Sequence, residues 1–179
     1  MKFLAICGSL RKQSTNMGLL RYAQAHAPVG VEFLIADIAS LPFYNADITE
    51  KQAAVLSLFE QIAVADALVL SCPEYNYSIA PALKNALDWA SREPGNTLLS
   101  GKPVAFMGAG GGMGTSRAQY HLRQVCVYLN LHPLNRPEVF ANAFSNSFDG
   151  EGNLLDAKIQ ENIVAQLAAL VSWTQQLQK

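Results

Sequence analysis

Three short stretches of this sequence gather residue types suited to holding a ligand. The first is Gly8-Ser9-Leu10-Arg11-Lys12-Gln13-Ser14-Thr15-Asn16. It is dense in hydroxyls, carries two cations and leads into a segment with helical spacing. The free N–H groups and dipole at a helix start favour an anion. Hydroxyls donate to phosphate oxygens, and Arg11 can neutralise their charge. A plain polar loop capped by Thr15 or Asn16 is the simpler reading, but a cap does not require the whole cluster. The second stretch is Pro73-Glu74-Tyr75-Asn76-Tyr77-Ser78. Two tyrosines and an amide there could line a flat ring and hydrogen-bond its edge, or merely cover the core. The third, Gly108-Ala109-Gly110-Gly111-Gly112-Met113-Gly114, lets backbone approach a ligand closely, or is a flexible turn.

Better-known phosphate motifs do not match. A Walker loop needs Gly-Lys-Ser/Thr after four residues, but Gln13-Ser14 stands where Gly-Lys belongs. The dinucleotide fingerprint is missing from the first turn, which has one glycine, and no start within 108–114 completes G-x-G-x-x-G. A low-molecular-weight tyrosine phosphatase loop needs five residues between cysteine and arginine. Cys7 to Arg11 leaves three, so Cys7 is expected to be a buried strand residue. His26, His121 and His132 lie apart without metal spacing, and surface or structural roles suit them better.

The elements that must position these stretches alternate along the chain. Apolar runs at Phe3–Cys7, Val31–Ile35, Ala67–Cys72, Val104–Met107 and, more weakly, Glu138–Ala141 suit strands covered on both faces. Helical spacing marks Asn16–Ala27, Ala53–Ala65, Pro81–Ser91, Arg117–Leu129 and a last helix through Ile159, Ile163, Leu167 and Leu170. Proline at position 81 suits a first helical position. This alternation predicts an α/β fold: a doubly wound, five-stranded parallel sheet of order 2-1-3-4-5 with helices on both faces. Ligands of such sheets sit beyond the carboxyl ends of the strands, at the switch between strands 1 and 3. All three stretches follow strands at that edge.

Bulk properties narrow the functional classes. A chain of 179 residues predicts a single domain over 1–179 and a core that needs no disulfide or metal. Half the residues are hydrophobic and 15% are charged, which excludes a disordered chain. A net charge of −1 offers no field for a nucleic-acid backbone. Cys7, Cys72 and Cys126 form no disulfide framework or zinc spacing, and free thiols fit a reducing, cytoplasmic setting. The apolar run at 3–7 is too short for a signal peptide, and no stretch is apolar enough to span a membrane.

Several of these residues together resemble one family. Gly8-Ser9-Leu10-Arg11 with Ser14 and Asn16, then 73–78, then Leu83-Lys84-Asn85-Ala86-Leu87-Asp88-Trp89, are similar to the NADPH-dependent FMN reductases, which include quinone, chromate and azo-dye reductases. The resemblance extends through Asp37–Asn45 and the 149–155 approach to the last helix. It implies a flavodoxin-like fold, bound FMN, NADPH or NADH as donor, and a homodimer or homotetramer. Ser9, Arg11, Ser14, Thr15 and Asn16 would then hold the FMN phosphate. Pro73, Glu74, Tyr75, Asn76 and Tyr77 would lie along the isoalloxazine, with Gly110 and Gly111 closing the other side. One departure is Ala80-Pro81-Ala82, where many relatives have Pro-Gly; it bears on the acceptor site.

The implied chemistry is ping-pong: hydride passes from the nicotinamide to flavin N5, then to a quinone or similar small electron acceptor. No acid–base pair is required; Glu74 could be an acid, but hydrogen bonding within its loop is the preferred reading. A non-enzymatic flavodoxin-type carrier is the alternative class. Apolar and aromatic residues spread around helices 81–91 and 117–131, which predicts that these helices meet a second subunit.

Overall fold

The computed structural model describes residues 1–178. Its central sheet runs β2 (Glu32–Ala36), β1 (Lys2–Cys7), β3 (Ala67–Ser71), β6 (Pro103–Gly110), all parallel, with β7 (His132–Pro133) and β8 (Val139–Asn142) both paired to the free edge of β6. Leu4 stands opposite Leu34 on one side and Leu68 on the other, and Leu68 opposite Val104. Helices α1 (Thr15–Ala25) and α5 (Ala157–Leu177) cover one face; α2 (Ala53–Val64), α3 (Pro81–Ala90) and α4 (Ser116–Leu129) cover the other.

The continuous apolar runs are explained by this double cover. Successive strand side chains point to opposite faces. Leu4, Ile6, Leu68, Leu70, Val104 and Phe106 pack under α2, α3 and α4. Their neighbours Phe3, Ala5, Ala67, Val69, Ala105 and Met107 pack under α1 and α5. Each of these positions is buried on one face or the other, so an apolar residue is required at every step.

Two features differ from the sequence expectation. The fifth strand comes in two pieces, β7 and β8, either side of a segment that includes a cis Arg136–Pro137 bond. Strand β6 also runs on to Gly110, because Gly108, Ala109 and Gly110 pair with Phe140, Ala141 and Asn142. Part of the glycine-rich stretch is therefore strand. The second difference is a small antiparallel hairpin, β4 (Glu74–Tyr75) with β5 (Ser78–Ile79). Its turn residues Asn76 and Tyr77 have φ of 50° and 65°, the left-handed pair that a two-residue hairpin turn needs. Tyrosine is a rare choice for that backbone, so the sequence carries little sign of it.

The expected interface helices separate into two cases. Leu83, Leu87 and Trp89 of α3 are all buried within the chain's own core, so this helix has no apolar surplus to offer a partner. Helix α4 does: Leu122 and Leu129 face the core, while Tyr120, Val127 and Tyr128 are exposed.

Candidate functional site

The three stretches meet at the carboxyl edge of the sheet. Ser9, Arg11, Ser14, Thr15 and Asn16 line one cavity of about 140 Å³ with Pro73, Glu74 and Tyr75. Gly110, Gly111, Ala143 and Phe144 close it. The last two follow β8 and were not anticipated; Phe144 is an exposed aromatic in an unpatterned loop, and no periodicity marks it.

Around the start of α1 the polar groups divide their work. Ser14 is the N-cap: its Oγ accepts from the Met17 N–H at 3.2 Å. The Thr15 and Asn16 N–H groups donate to no protein acceptor among the described residues, so they remain for an anion. Arg11 makes no ion pair among the described residues; its guanidinium reaches the Gln13 carbonyl, at 3.3 Å. Asn16, in contrast, has a committed side chain. Its Nδ2 donates to the Ala109 carbonyl at 2.8 Å, and its Oδ1 accepts from the Ala109 N–H at 3.0 Å and from Ser71 Oγ at 3.2 Å. Its amide ties α1 to β3 and β6, so only its main chain is open to a phosphate.

A second loop stiffens the first. Asp149 Oδ1 accepts from the Glu151 and Asn153 N–H groups, and these hydrogen bonds, led by those of Asn153, hold its carboxyl below the usual carboxylate range. Arg21 on α1 donates to Asn153 Oδ1 and the Glu151 carbonyl. Gly152 sits at φ 77° against the Ser14 backbone, where a Cβ would collide with the Ser14 carbonyl group. The signal for this buttress was the Asp-Gly-Glu-Gly-Asn composition of 149–153, which reads as a turn but not as one packed on α1.

Glu74 lines the cavity, but its carboxylate is engaged elsewhere. Its side chain is 6% exposed and turns toward α4. Oε2 accepts from the Arg117 and Ala118 N–H groups, and Oε1 takes the Arg117 guanidinium at 2.7 Å. It caps α4 and pins the hairpin to it; only the rest of the residue faces the cavity. Asn76 and Tyr77 occupy the hairpin tip and do not line the cavity. The Tyr77 ring instead packs under the Arg117 guanidinium, 3.7 Å from its centre. His121 joins the same contact, its Nδ1 being 3.0 Å from Ser78 Oγ. Glycine at 108 has a packing reason: a Cβ there would strike the side chain of buried Thr115 and the Cys72 carbonyl.

Beyond Arg11 and Tyr75, which it shares, lies a larger pocket of about 450 Å³. The chain after β2 forms its outer wall and is clamped to α3. Asn85 Oδ1 accepts from the Tyr44 N–H, and Asn85 Nδ2 and Trp89 Nε1 both donate to the Pro42 carbonyl. Tyr44 packs edge-on against Trp89.

Burial pushes the Cys7 thiol above its ordinary value of 9.0, which disfavours the thiolate a phosphatase nucleophile requires. Among the described residues no group of three His, Cys, Asp or Glu could hold a metal, and no helix is long and apolar enough to cross a membrane.

A doubly wound sheet with a cluster of unpaired hydrogen-bond donors after its first strand, an aromatic wall after its third and a glycine-lined wall after its fourth defines an α/β protein of the flavodoxin type. Residues 1–146 match the NADPH-dependent FMN reductase family, and the chain belongs to it. It is 49% identical to an NAD(P)H-dependent FMN reductase of Pseudomonas aeruginosa, over 99% of this chain and 97% of that one. It is 42% identical to an NADPH:quinone oxidoreductase of Arabidopsis thaliana, over 99% and 94% of the two chains. The flavoenzyme NAD(P)H:(acceptor) oxidoreductase FerB of Paracoccus denitrificans has a similar solved structure, with a TM-score of 0.87, 31% identity, and coverage of 98% of this chain and 97% of that chain. The protein is an FMN-dependent oxidoreductase that draws on reduced nicotinamide.

Proposed function

We propose that this chain is a single-domain cytoplasmic enzyme that reduces quinones, or similar small acceptors, with NADPH or NADH through FMN held at the edge of β1, β3 and β6. The observation that carries the reading is the cradle at the start of α1. Two N–H groups without protein acceptors among the described residues, the hydroxyls of Ser9 and Thr15 and the Arg11 guanidinium converge on one cavity. That donor set suits a phosphate monoester dianion. It is also why FMN suits the site better than FAD, whose phosphate is esterified a second time.

When bound, FMN supplies the hydride chemistry, and the chain supplies binding and orientation. Ser9, Arg11 and Thr15 bind the phosphate directly, Ser14 sets the helix start, and Asn16 locks the cradle to Ala109. Pro73, Tyr75, Gly110 and Gly111 present wall atoms to the ring. Glu74 fixes the hairpin without touching the reacting atoms. The active unit is an oligomer of at least two copies, joined through the exposed Tyr120, Val127 and Tyr128 of α4.

Purified protein should be yellow, release one equivalent of FMN on heating and oxidise NADPH or NADH steadily when given 1,4-benzoquinone. Recovery of FAD in stoichiometric amount, or a flavin that is reduced once without turnover, would refute the reading.

A further inference from the structure

Strand β3 reads Ala67-Leu68-Val69-Leu70-Ser71, and every one of these residues is buried. A strand covered on both faces requires apolar side chains, so the hydroxyl at its last position is out of pattern. Ser71 stands between Cys7 of β1 and Met107 of β6, both buried on the face covered by α1 and α5. A buried hydroxyl needs a partner. Among the described residues its acceptors belong to one residue: the Asn16 carbonyl at 3.0 Å and Asn16 Oδ1 at 3.2 Å. Asn16 is buried too, and its amide meets both backbone groups of Ala109. The β3–β6 pairing stops at Ser71 and Met107, so the amide takes up the β6 backbone two residues further on.

We propose that Ser71 is a positioning residue for the cofactor phosphate: by gripping Asn16 at its carbonyl and its amide, it aims the open N–H groups of Thr15 and Asn16 into the cradle, a step that rests on the FMN reading above. Ser71 does not line the cavity, so it acts through Asn16. Its contact to the amide fixes the side chain and its contact to the carbonyl fixes the main chain. Residue 16 is thereby referenced to β3 through both. Direction matters here, because a hydrogen bond weakens steeply as its donor turns away from the acceptor, and bonds to an ionised phosphate are the strong ones. On its outer side the helix start already has a support, since Gly152 packs against the Ser14 backbone; Ser71 is the inner one. The glycine wall depends on Ser71 less, because Ala109 and Gly110 are also paired with Ala141 and Asn142 of β8. Loss of the hydroxyl therefore falls on the phosphate end of the site and spares the ring end.

The test compares two flavins that differ only in the phosphate. The full-length chain, stripped of flavin by dialysis, is titrated with FMN and with riboflavin, and quenching of flavin fluorescence gives both Kd values. Ser71→Ala should bind FMN about fivefold more weakly, equivalent to about 1 kcal/mol, while its riboflavin Kd stays within about twofold of wild type. Ser71→Cys fills the space and donates only weakly, so it should lose as much FMN affinity as Ser71→Ala and carries the test should the alanine variant not fold. An FMN Kd within about twofold of wild type in the folded variants overturns the proposal. Equal losses for FMN and riboflavin overturn it as well, since a merely structural role would weaken both alike. So does a loss in Ser71→Ala that Ser71→Cys restores in full, which would make the residue's volume the cause. A wild type that binds riboflavin as tightly as FMN overturns the phosphate reading itself, an outcome visible before any variant is compared.

Discussion

Removing the Glu74 carboxylate should cost stability before it costs cofactor. In Glu74→Ala, α4 loses its side-chain cap, because Thr115 at the N-cap position makes none. That loss is worth about 1 kcal/mol. The charge-assisted bonds from Arg117 add about 1.5–3 kcal/mol if buried. Arg117 is 41% exposed and can rehydrate, so the lower end applies. The sum is about 2.5 kcal/mol, or a fall in Tm of about 8 °C at roughly 3 °C per kcal/mol for a chain of this size. Glu74→Gln keeps one oxygen for the Arg117 and Ala118 N–H groups and should cost about half as much. Arg117→Ala leaves the carboxylate bonded to both N–H groups and should cost about 1.5 kcal/mol, the Arg117 share of that sum. Urea unfolding of the apoproteins gives all three values, and flavin fluorescence gives FMN affinity. The FMN Kd of Glu74→Gln should stay within about threefold of wild type, near 0.6 kcal/mol, since the carboxylate points at α4 and not into the cavity. An Arg117→Ala loss equal to that of Glu74→Ala would refute the cap. So would a stable Glu74→Gln that no longer retains flavin.

Other expectations follow from the same geometry. Arg11→Ala should weaken FMN binding by about 1.5–3 kcal/mol and leave riboflavin binding unchanged; equal losses for both ligands would remove Arg11 from the phosphate site. Burial pushes the Cys72 and Cys126 thiols up to about 11 and about 12. Ellman's reagent at pH 8 should therefore find no reactive thiol until denaturant is added. The folded chain keeps thiol protons that the unfolded chain releases from pH 9.0 upward, so these thiols make stability decline between pH 9 and about 12. Cys126→Ala should flatten that decline, and an unchanged slope would argue against it. Tyr128→Glu should shift the protein toward monomer in light scattering and lower quinone reduction more than FMN affinity. Wild type that is fully active as a monomer at micromolar concentration would exclude the α4 interface.

The sheet order was legible because its cause is local. Runs such as Phe3–Cys7 and Ala67–Leu70 are apolar at every position, and only a strand covered on both faces requires that. The grouping of Ser9, Arg11, Ser14, Thr15 and Asn16 around one cavity was legible because they are neighbours in sequence between β1 and the start of α1, whatever the distant contacts are. What stayed hidden depends on partners remote in sequence. Nothing near Asn16 says that its amide will bond Ala109, 93 residues away. Nothing near Glu74 points to the N–H groups of 117 and 118. The hairpin was obscured for a different reason: Asn-Tyr adopts a turn usually given to Asn-Gly, and the Tyr77 ring has the Arg117 guanidinium stacked on it.

The Leu-Lys-Asn-Ala-Leu-Asp-Trp segment, which carries part of the family resemblance, has a structural role. Only Asn85 of its residues reaches the wall of the larger pocket, and its amide is taken up by protein backbone. Leu83, Leu87 and Trp89 are core. Lys84 and Asp88 pair with each other one turn apart at 2.7 Å, a half-exposed ion pair worth about 0.3–0.5 kcal/mol. What the segment accomplishes is to hold residues 42–44 at a fixed distance from α3, through two bonds to the Pro42 carbonyl and one from the Tyr44 N–H. A backbone carbonyl that receives two donors and an amide engaged through both its atoms make a joint that tolerates few replacements. Asn85→Asp would lose the amide donor, and Trp89→Phe would lose the indole N–H. The segment's part in the fold is thus to build the wall rather than to touch a ligand.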